Sequence, residues 1–165
     1  MQKNIKMLVM DVDGTLTDGK IYMGENGELF KAFDVKDGCG IKDILPKYGI
    51  IPIIITARNS KILQKRCKEL GIEALFQGVQ NKDEKLRELI ESFNQTAETK
   101  IGFSNVAYIG DDILDLQCMI PIKKDGGIVG CPQDAIDEVK NLSDFVSEKK
   151  GGDGAVREFI EWIVK

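Results

Sequence analysis

Residues 6–19 read Lys-Met-Leu-Val-Met-Asp-Val-Asp-Gly-Thr-Leu-Thr-Asp-Gly, an apolar run that stops at two carboxylates. The run predicts a buried strand over Ile5–Met10, with Asp11 and Asp13 at its carboxyl end. Open α/β sheets bind their ligands at this end of their strands. Gly14 directly after the acids permits a tight turn. Because two neighbouring carboxylates need a cation or a proton between them, the stretch predicts a metal-dependent phosphoryl-transfer site.

Short apolar segments without alternation recur along the chain, and helix-period patterns separate them. Such an order is typical of a parallel sheet covered by helices on both faces. We therefore predict a Rossmann-like, three-layer α/β fold with a central parallel sheet. Strands are predicted over Ile5–Met10, Ile51–Ile55, Ala74–Phe76, Val106–Ile109, Gly127–Val129 and Phe145–Val146. Helices are predicted over Gly38–Tyr48, Ser60–Leu70, Lys82–Phe93, Ile113–Met119, Pro132–Val139 and Gly154–Val164, with Ser60 and Asp83 as N-caps.

One segment breaks the alternation of strands and helices. Two short runs, Lys20–Met23 and Leu29–Phe33, flank an Asn-Gly step at residues 26–27, which is a strong hairpin signal. A small β-hairpin at about residues 19–33 is therefore predicted to project from the sheet, and it is too short to be a cap domain. Its apolar side chains favour packing on another subunit, with folding back on its own domain as the alternative.

Bulk composition limits the class of protein. A chain of 165 residues with 42% hydrophobic and 30% charged residues is most simply one globular domain over residues 1–165. Its apolar runs are too short to span a bilayer, and its N-terminus lacks the apolar core of a signal peptide. We therefore expect a cytoplasmic protein without a membrane partner. The net charge of −4 argues against a nucleic-acid partner.

The chain contains no histidine. This excludes Ser-His-Asp triads, histidine phosphatases and histidine zinc sites, so acid/base chemistry near neutral pH falls to carboxylates or lysines. The four cysteines form no C-x-x-C pair, and none is followed six residues later by arginine. Zinc, thioredoxin-like and cysteine-phosphatase chemistry therefore have no support, and the cysteines are predicted to be reduced and structural.

Several polar positions are predicted to meet at one edge of the sheet, because the carboxyl ends of parallel strands share that edge. Carboxylates offer the hard oxygen ligands that Mg²⁺ prefers. A hydroxyl and an ammonium can hold phosphoryl oxygens, and phosphoryl transfer depends mostly on positioning and charge neutralisation. In chain order these positions are Asp11 and Asp13, Thr56, Lys82, and Asp111, Asp112 and Asp115.

The ordered set D-x-D-G-T, T, K and G-D-D-x-x-D resembles the four motifs of the haloacid dehalogenase superfamily of phosphatases, over residues 11–115. The resemblance implies that Asp11 is the nucleophile and forms an aspartyl-phosphate. It implies that Asp13 is the general acid/base, whose main-chain carbonyl also contacts the metal. Thr56 and Lys82 would hold the transferring group. The implied Mg²⁺ ligands are Asp11, Asp13 and Asp111, with Asp112 or Asp115 in support.

A narrower resemblance, to the capless 3-deoxy-D-manno-octulosonate 8-phosphate (KDO 8-phosphate) phosphatases, covers nearly the whole chain. It implies Mg²⁺-dependent hydrolysis of a small acidic sugar phosphate to KDO and inorganic phosphate. It also implies a homotetramer built through the hairpin, in which neighbouring subunits wall the active site and residues 151–158 close over a neighbour's site. The matching segments are residues 11–19, 22–24, 31–33, 37–40, 55–60, Arg66, 70–72, 76–78 and 151–158.

The substrate carboxylate needs a cation, and arginine binds carboxylates in bidentate fashion. Arg58 and Arg66 fit this role, and their spacing predicts that both face the strand ends. Ala57 stands where the family has glycine, so its methyl group is expected to crowd the turn beside the phosphate. The substrate-binding residues implied by the resemblance are Asp34, Val35, Lys36, Asp37, Gly38, Lys42, Arg58, Arg66, Lys82 and Asp112.

Three alternatives stay open at this point. The segment at residues 130–132 also resembles the phosphatase domains of sialic-acid synthesis, which act on N-acylneuraminate or deaminoneuraminate 9-phosphate and carry glutamate near the position of Arg58. A receiver-type signalling domain would need its phosphorylated aspartate at the end of a later strand, where Thr56 stands instead. A non-catalytic oligomerisation domain is disfavoured because every motif residue is present.

Overall fold

A computed structural model describes residues 4–165 of the protein. The described strands are β1 (Met7–Met10), β2 (Tyr22–Gly24), β3 (Gly27–Phe30), β4 (Ile51–Ile55), β5 (Ala74–Phe76), β6 (Val106–Ile109), β7 (Ile128–Cys131) and β8 (Phe145–Val146). The described helices are α1 (Val35–Cys39), α2 (Lys61–Leu70), α3 (Lys82–Thr96), α4 (Ile113–Lys124), α5 (Asp137–Leu142) and α6 (Ala155–Ile163). No helix within residues 4–165 has the length and apolar character needed to cross a membrane.

The central sheet is parallel and has the strand order β5-β4-β1-β6-β7-β8. The chain runs from β1 to β4 on one side of the sheet and later returns to β6 on the other side of β1. The strand order therefore reverses at β1, and open α/β sheets bind ligands at the carboxyl end of such a switch point. This confirms the predicted α/β fold with a parallel sheet.

Both faces of the sheet are covered by apolar layers, as the strands without alternation predict. Leu8 and Met10 of β1 pack in one layer, which includes Phe159 of α6. Val9, on the opposite face of the same strand, packs in the second layer together with Met119 of α4. All five side chains are fully buried, so β1 is fixed from both sides and its carboxyl end has a defined position.

The antiparallel pair β2–β3 forms the predicted hairpin outside the central sheet. Met23, Leu29 and Phe30 are exposed on it. Its aromatic side chains stack on each other, with the ring centroids of Tyr22 and Phe30 4.3 Å apart. Exposed apolar side chains on a two-stranded element leave surface for a further contact.

Three predictions about where helices begin or which helix type forms are wrong. The helix expected over Gly38–Tyr48 is instead α1 followed by a π-helical turn over Gly40–Ile44 and a 3₁₀ turn over Leu45–Tyr48. The helix expected from Pro132 begins only at Asp137. Asp83 lies inside the first turn of α3, and Asn81 caps that helix by accepting from the Glu84 N–H. The Ser60 cap on α2 is confirmed, since its hydroxyl accepts from the Leu63 N–H.

Candidate active site

A cleft of ≈ 220 Å³ opens at the carboxyl ends of β1 and β4, where the strand order reverses. Asp11 and Asp13 reach it from the turn after β1, Thr56 from the end of β4 and Lys82 from the start of α3. The topology therefore brings together most of the polar positions expected at this edge. The lining residues are Asp11, Asp13, Thr56, Ala57, Arg58, Lys82, Asp112, Leu114 and Asp115.

The turn after β1 has a shape that only glycine allows at its tightest point. Gly14 has φ +93, and a Cβ built on it would lie 2.0 Å from Oδ2 of Asp111. The next residue, Thr15, donates its hydroxyl to Oδ1 of Asp111 over 2.9 Å. The β1 turn is therefore fitted directly against the turn that follows β6.

A buried ion network joins the ends of β1 and β6. The Lys82 ammonium donates to Asp11 Oδ1 over 2.9 Å and to Asp115 Oδ1 over 2.8 Å. Asp115 also accepts the Tyr108 hydroxyl over 2.7 Å and the N–H groups of Asp111 and Asp112. Four donors thus converge on Asp115, which makes it the anchor of Lys82 and of the loop after β6.

The electrostatics of this cluster favour a cation. Burial and the neighbouring Asp115 raise the pKa of Asp11 to about 6, against the lowering effect of Lys82. Burial, followed by repulsion from Asp11 and Asp115, raises the pKa of Asp111 to about 8. Burial would lower the pKa of Lys82, but the two carboxylates outweigh it and hold that pKa above its usual range. The cluster therefore holds three carboxylates and one ammonium, which contacts two of them, and a divalent ion can balance the excess negative charge.

The donor set fits a hard cation such as Mg²⁺. Carboxylate oxygens of Asp11, Asp111 and Asp115 lie within 4.8 Å of one another. The oxygens of Asp115 already accept four hydrogen bonds, so Asp11 and Asp111 are the better candidate ligands. The Asp13 carboxylate lies outside this group, which leaves its main-chain carbonyl as the contact that the family resemblance implies.

The Asp13 side chain turns toward basic groups instead. Lys31 donates to its Oδ1 over 2.5 Å, and Nε of Arg58 lies 3.9 Å from its Oδ2. Burial would lower the pKa of Lys31, but hydrogen bonds to Asp13 and Glu28 outweigh it and raise the pKa. Sequence reasoning missed Lys31 as a site residue, because only the return strand of the hairpin brings it to the acidic turn.

Thr56 and Asp112 both line the cleft, and of the two only the Thr56 hydroxyl can donate a hydrogen bond to a phosphoryl oxygen. Thr56 is buried, and its main chain is held by Phe76 of β5 and by Val79. Asp112 is the N-cap of α4 and accepts from the Ile113 N–H over 2.7 Å. Ala57 also lines the cleft, and crowding of the turn by its methyl group remains a prediction.

The stretch from Asp34 to Gly38 lies apart from this cleft. Asp34 caps α1, and Asp37 is buried with its Oδ1 accepting from the Arg157 N–H over 2.8 Å. Val35, Lys36 and Lys42 are exposed. Within one chain, the structure therefore uses Asp37 to cap the N-terminus of α6 rather than to line the cleft.

Arg66 does not accompany Arg58. It lies over the Phe33 ring at 5.7 Å and lines a separate small cavity together with Asp34, Asp37 and Gly38. The prediction that both arginines face the same strand ends is wrong within one chain. The reason is the path of α2, which carries Arg66 away from the cleft and toward α1.

The glycine-rich segment before α6 packs on the acidic turn of its own chain. The Gly152 N–H donates to the Thr15 carbonyl over 3.1 Å. A Cβ built on Gly151 would lie 1.9 Å from the Gly14 carbonyl oxygen. In the described chain this segment supports its own β1 turn, whereas the sequence led us to expect closure over a neighbour's site.

No protein-family model matches the chain. It is 41% identical over 162 residues to 3-deoxy-D-manno-octulosonate 8-phosphate phosphatase KdsC of Escherichia coli K12, covering 98% of this chain and 80% of that relative. The Moraxella catarrhalis phosphatase of the same name, solved with magnesium, phosphate and KDO, has a TM-score of 0.87 and 39% identity, covering 98% and 87% of the two chains. The cobalt-bound Haemophilus influenzae phosphatase has a TM-score of 0.87 and 36% identity, covering 98% and 88%.

Proposed function

The chain belongs to the 3-deoxy-D-manno-octulosonate 8-phosphate phosphatases of the haloacid dehalogenase superfamily, and from this membership we propose that it hydrolyses KDO 8-phosphate to KDO and inorganic phosphate. The observation that carries the proposal is the cleft at the switch point of the sheet, where Lys82 pairs with Asp11 and the Asp111 carboxylate lies close to Asp11. We also propose that the described residues act as one phosphatase domain, since a single sheet carries both apolar layers.

In the proposed reaction Asp11 is the nucleophile. Lys82 holds one oxygen of its carboxylate, so the other can attack phosphorus. The bond between phosphorus and the sugar oxygen breaks as the new bond to Asp11 forms, and Asp13 gives its proton to the departing oxygen. Asp13 then takes a proton from water, which attacks phosphorus, releases phosphate and restores the Asp11 carboxylate.

The remaining cleft residues have binding roles in this proposal. Thr56 and Lys82 would hold the phosphoryl oxygens, and Arg58 would pair with the substrate carboxylate. Asp112 would contact the sugar. Mg²⁺, held by Asp11, Asp111 and the main-chain carbonyl of Asp13, would neutralise charge on the phosphoryl group.

We further propose a homotetramer that forms through the hairpin. Its exposed Met23, Leu29 and Phe30 supply apolar surface for such a contact. A multi-subunit assembly would also explain Arg66 and the Asp34–Gly38 stretch as binding residues. Arg66, with Asp34, Asp37 and Gly38, lines a separate cavity and not the cleft of its own chain. These residues would then serve a neighbouring copy.

Phosphate release across a substrate panel tests the proposal. KDO 8-phosphate, the two nine-carbon 9-phosphates and common hexose phosphates are compared at equal Mg²⁺. We expect the highest kcat/KM on KDO 8-phosphate. A clearly higher value on a nine-carbon phosphate would assign the chain to the sialic-acid branch instead.

The nucleophile is tested separately with Asp11→Asn. This variant keeps the side-chain volume but cannot form an aspartyl-phosphate, so Mg²⁺-dependent phosphate release should vanish on every substrate. Size-exclusion chromatography and circular dichroism serve as controls that the variant retains its assembly and fold. Substantial turnover by a folded Asp11→Asn protein would refute the assignment.

A further inference from the structure

Lys31 is a buried cation beside the proposed acid. Its side chain is only 3% exposed, although lysine is almost never buried without a specific partner. The ammonium lies 2.5 Å from Asp13 Oδ1 and 2.9 Å from Glu28 Oε1. Neither the reaction proposed above nor the sequence motifs assign a role to this side chain.

The position of Lys31 is fixed by the hairpin and by α2. Glu28 stands on β3, and its second oxygen accepts the Ser60 hydroxyl over 2.6 Å. Ser60 is the N-cap of α2, and its own N–H donates to Gln77 over 2.7 Å. The chain of contacts from Ser60 through Glu28 and Lys31 to Asp13 therefore links the end of the hairpin to the acidic turn.

This chain of contacts makes the two oxygens of Asp13 inequivalent. A lysine ammonium can donate hydrogen bonds but cannot accept them. Oδ1 of Asp13 therefore accepts from Lys31, and a proton on Oδ1 would have no acceptor on that side. Oδ2 lies on the side of Arg58, which is half-exposed, 3.9 Å away and too distant for a strong hydrogen bond. The oxygen free to carry and deliver a proton is thus Oδ2, on the cleft side.

We propose that Lys31 is a positioning residue that orients the Asp13 carboxyl group, so that Oδ2 delivers the proton to the departing oxygen. The inference rests on the acid role proposed for Asp13, but not on the identity of the sugar. Proton delivery depends on placement within hydrogen-bond reach of the acceptor. Among residues 4–165, loss of Lys31 would leave Asp13 with only the distant Arg58 as a charged partner, and Glu28 would lose the Lys31 ammonium.

The leaving group of the substrate separates this role from a merely structural one. An alkoxide that leaves a sugar phosphate is strongly basic and needs a proton as the P–O bond breaks. The p-nitrophenolate that leaves p-nitrophenyl phosphate is weakly basic and departs without one. A mispositioned acid should therefore slow hydrolysis of the sugar phosphate and spare that of the aryl phosphate.

The experiment measures kcat/KM of Lys31→Met on KDO 8-phosphate and on p-nitrophenyl phosphate, because kcat/KM reports steps up to departure of the leaving group. General-acid catalysis contributes about 10²–10⁴-fold, and partial loss of orientation should remove roughly 10- to 100-fold on the sugar phosphate. The aryl phosphate should change by less than about threefold. Lys31→Arg, which keeps a cation, should restore part of the lost ratio.

Lys124→Met is the matched control, since it removes an exposed lysine at the end of α4, outside the hairpin and the cleft, and should leave both substrates unaffected. An equal loss on both substrates, or no loss on either, would overturn the inference. If Lys31→Met does not fold, Glu28→Gln decides, because it loosens Lys31 while keeping its charge and should lower the same ratio by roughly threefold. An unchanged ratio in folded Glu28→Gln would equally overturn it.

If KDO 8-phosphate is not a substrate, any sugar phosphate that the enzyme hydrolyses can replace it in the comparison with p-nitrophenyl phosphate. The proposal on Lys31 and the proposal on the substrate can therefore fail separately.

Discussion

The two sides of the cleft are built differently. On one side, Lys82 and Asp115 are 2% and 1% exposed, and each is held by several hydrogen bonds within the chain. On the other side, the Arg58 side chain is 46% exposed, and the hairpin beyond it presents Met23 and Leu29 to solvent. The charged groups of the first side are paired within the chain, whereas the second side leaves a cation and apolar side chains exposed to solvent.

This difference separates two tasks of a phosphatase. Charge on a transferring phosphoryl group is best stabilised by groups that are fixed before the reaction, because they need no reorganisation. A cation that pairs with a variable sugar acid can stay accessible, since its partner arrives with the substrate. The buried side should therefore govern turnover of any phosphate ester, and the open side should govern the choice among esters.

The largest effect is expected at Lys82. Lys82→Met leaves the Asp11 and Asp115 carboxylates without their shared cation, and removing one partner of a buried ion pair costs about 3–5 kcal/mol. Loss of the donor that we propose for the phosphoryl group should also lower kcat by about 10²–10³-fold. Urea unfolding and phosphate release measure the two effects, and both KDO 8-phosphate and p-nitrophenyl phosphate should suffer alike.

Lys65→Met is the control for Lys82→Met, because Lys65 is an exposed helical lysine. Its stability should stay within about 0.5 kcal/mol of the parent protein. If Lys82→Met were as stable and as active as Lys65→Met, the buried side would not be the preorganised part of the cleft.

The next effect concerns the support of the β1 turn. Gly151→Ala places a methyl group 1.9 Å from the Gly14 carbonyl oxygen, a main-chain atom that cannot rotate away. Overpacking of this kind costs about 1–3 kcal/mol, and the shifted turn should lower kcat on both substrates. Gly102→Ala is the matched control, since a Cβ there meets nothing within 4 Å. Equal stability of the two variants would show that the segment before α6 does not hold the turn.

Much of the fold could be predicted because its signals are local. Four strands, β4, β5, β6 and β8, have the predicted bounds, since each is an uninterrupted apolar run between polar turns. Around residues 38–48 the prediction failed, because the regular helix ends before Gly40 and the chain continues as a π-helical turn and then a 3₁₀ turn that contains Pro46. The predicted end of α4 at Met119 was also early. Proline normally ends or kinks a helix, but α4 continues past Pro121 because Ile122 is buried in the core.

The site was predictable where residues follow strands of the sheet, and not where distant segments meet. Asp11, Thr56 and Asp111 were placed at one edge by topology alone. The contact of Lys31 with Asp13 depends on how the hairpin folds back, and the contact of Asp37 with Arg157 joins residues 120 positions apart. Neither contact has a sequence pattern of its own. The parts of the molecule that these contacts build are therefore the parts that the sequence predicts least well.

The pH dependence of stability should show whether Asp37 belongs with the buried or the open side, and we expect a smaller effect here. Burial raises its pKa from 3.8 to about 6, although N–H groups at the start of α6 lower it. The folded protein thus binds more protons than the unfolded chain between these values, so this group's contribution to stability falls as pH rises through that window. Asp37→Asn lacks the effect. The free energy of unfolding of Asp37→Asn, taken relative to that of the parent, should therefore rise by on the order of 2 kcal/mol from pH 4.5 to pH 7.5.

Urea unfolding of the parent and of Asp37→Asn at both pH values measures this difference, and titrations common to both proteins cancel. Asp43→Asn is the control, because it removes an exposed carboxylate close to Asp37 in the sequence. A stability difference between parent and Asp37→Asn that does not change with pH would mean that Asp37 is solvated. The residue would then belong with the open side of the comparison.

The smallest change in stability, and the most selective change in activity, is expected at Arg58. Its contact with Asp13 is long and solvent-exposed, so Arg58→Ala should alter stability by less than about 0.5 kcal/mol. If Arg58 pairs with the sugar carboxylate as proposed, its loss should raise KM for KDO 8-phosphate by about tenfold. The KM for p-nitrophenyl phosphate, which has no carboxylate, should stay nearly constant. Arg87→Ala, at an exposed arginine of α3, should change neither value. An equal rise in KM on both substrates would instead indicate that Arg58 binds the phosphoryl group. The open side would then take part in binding every phosphate ester, and the proposed division between the two sides of the cleft would be wrong.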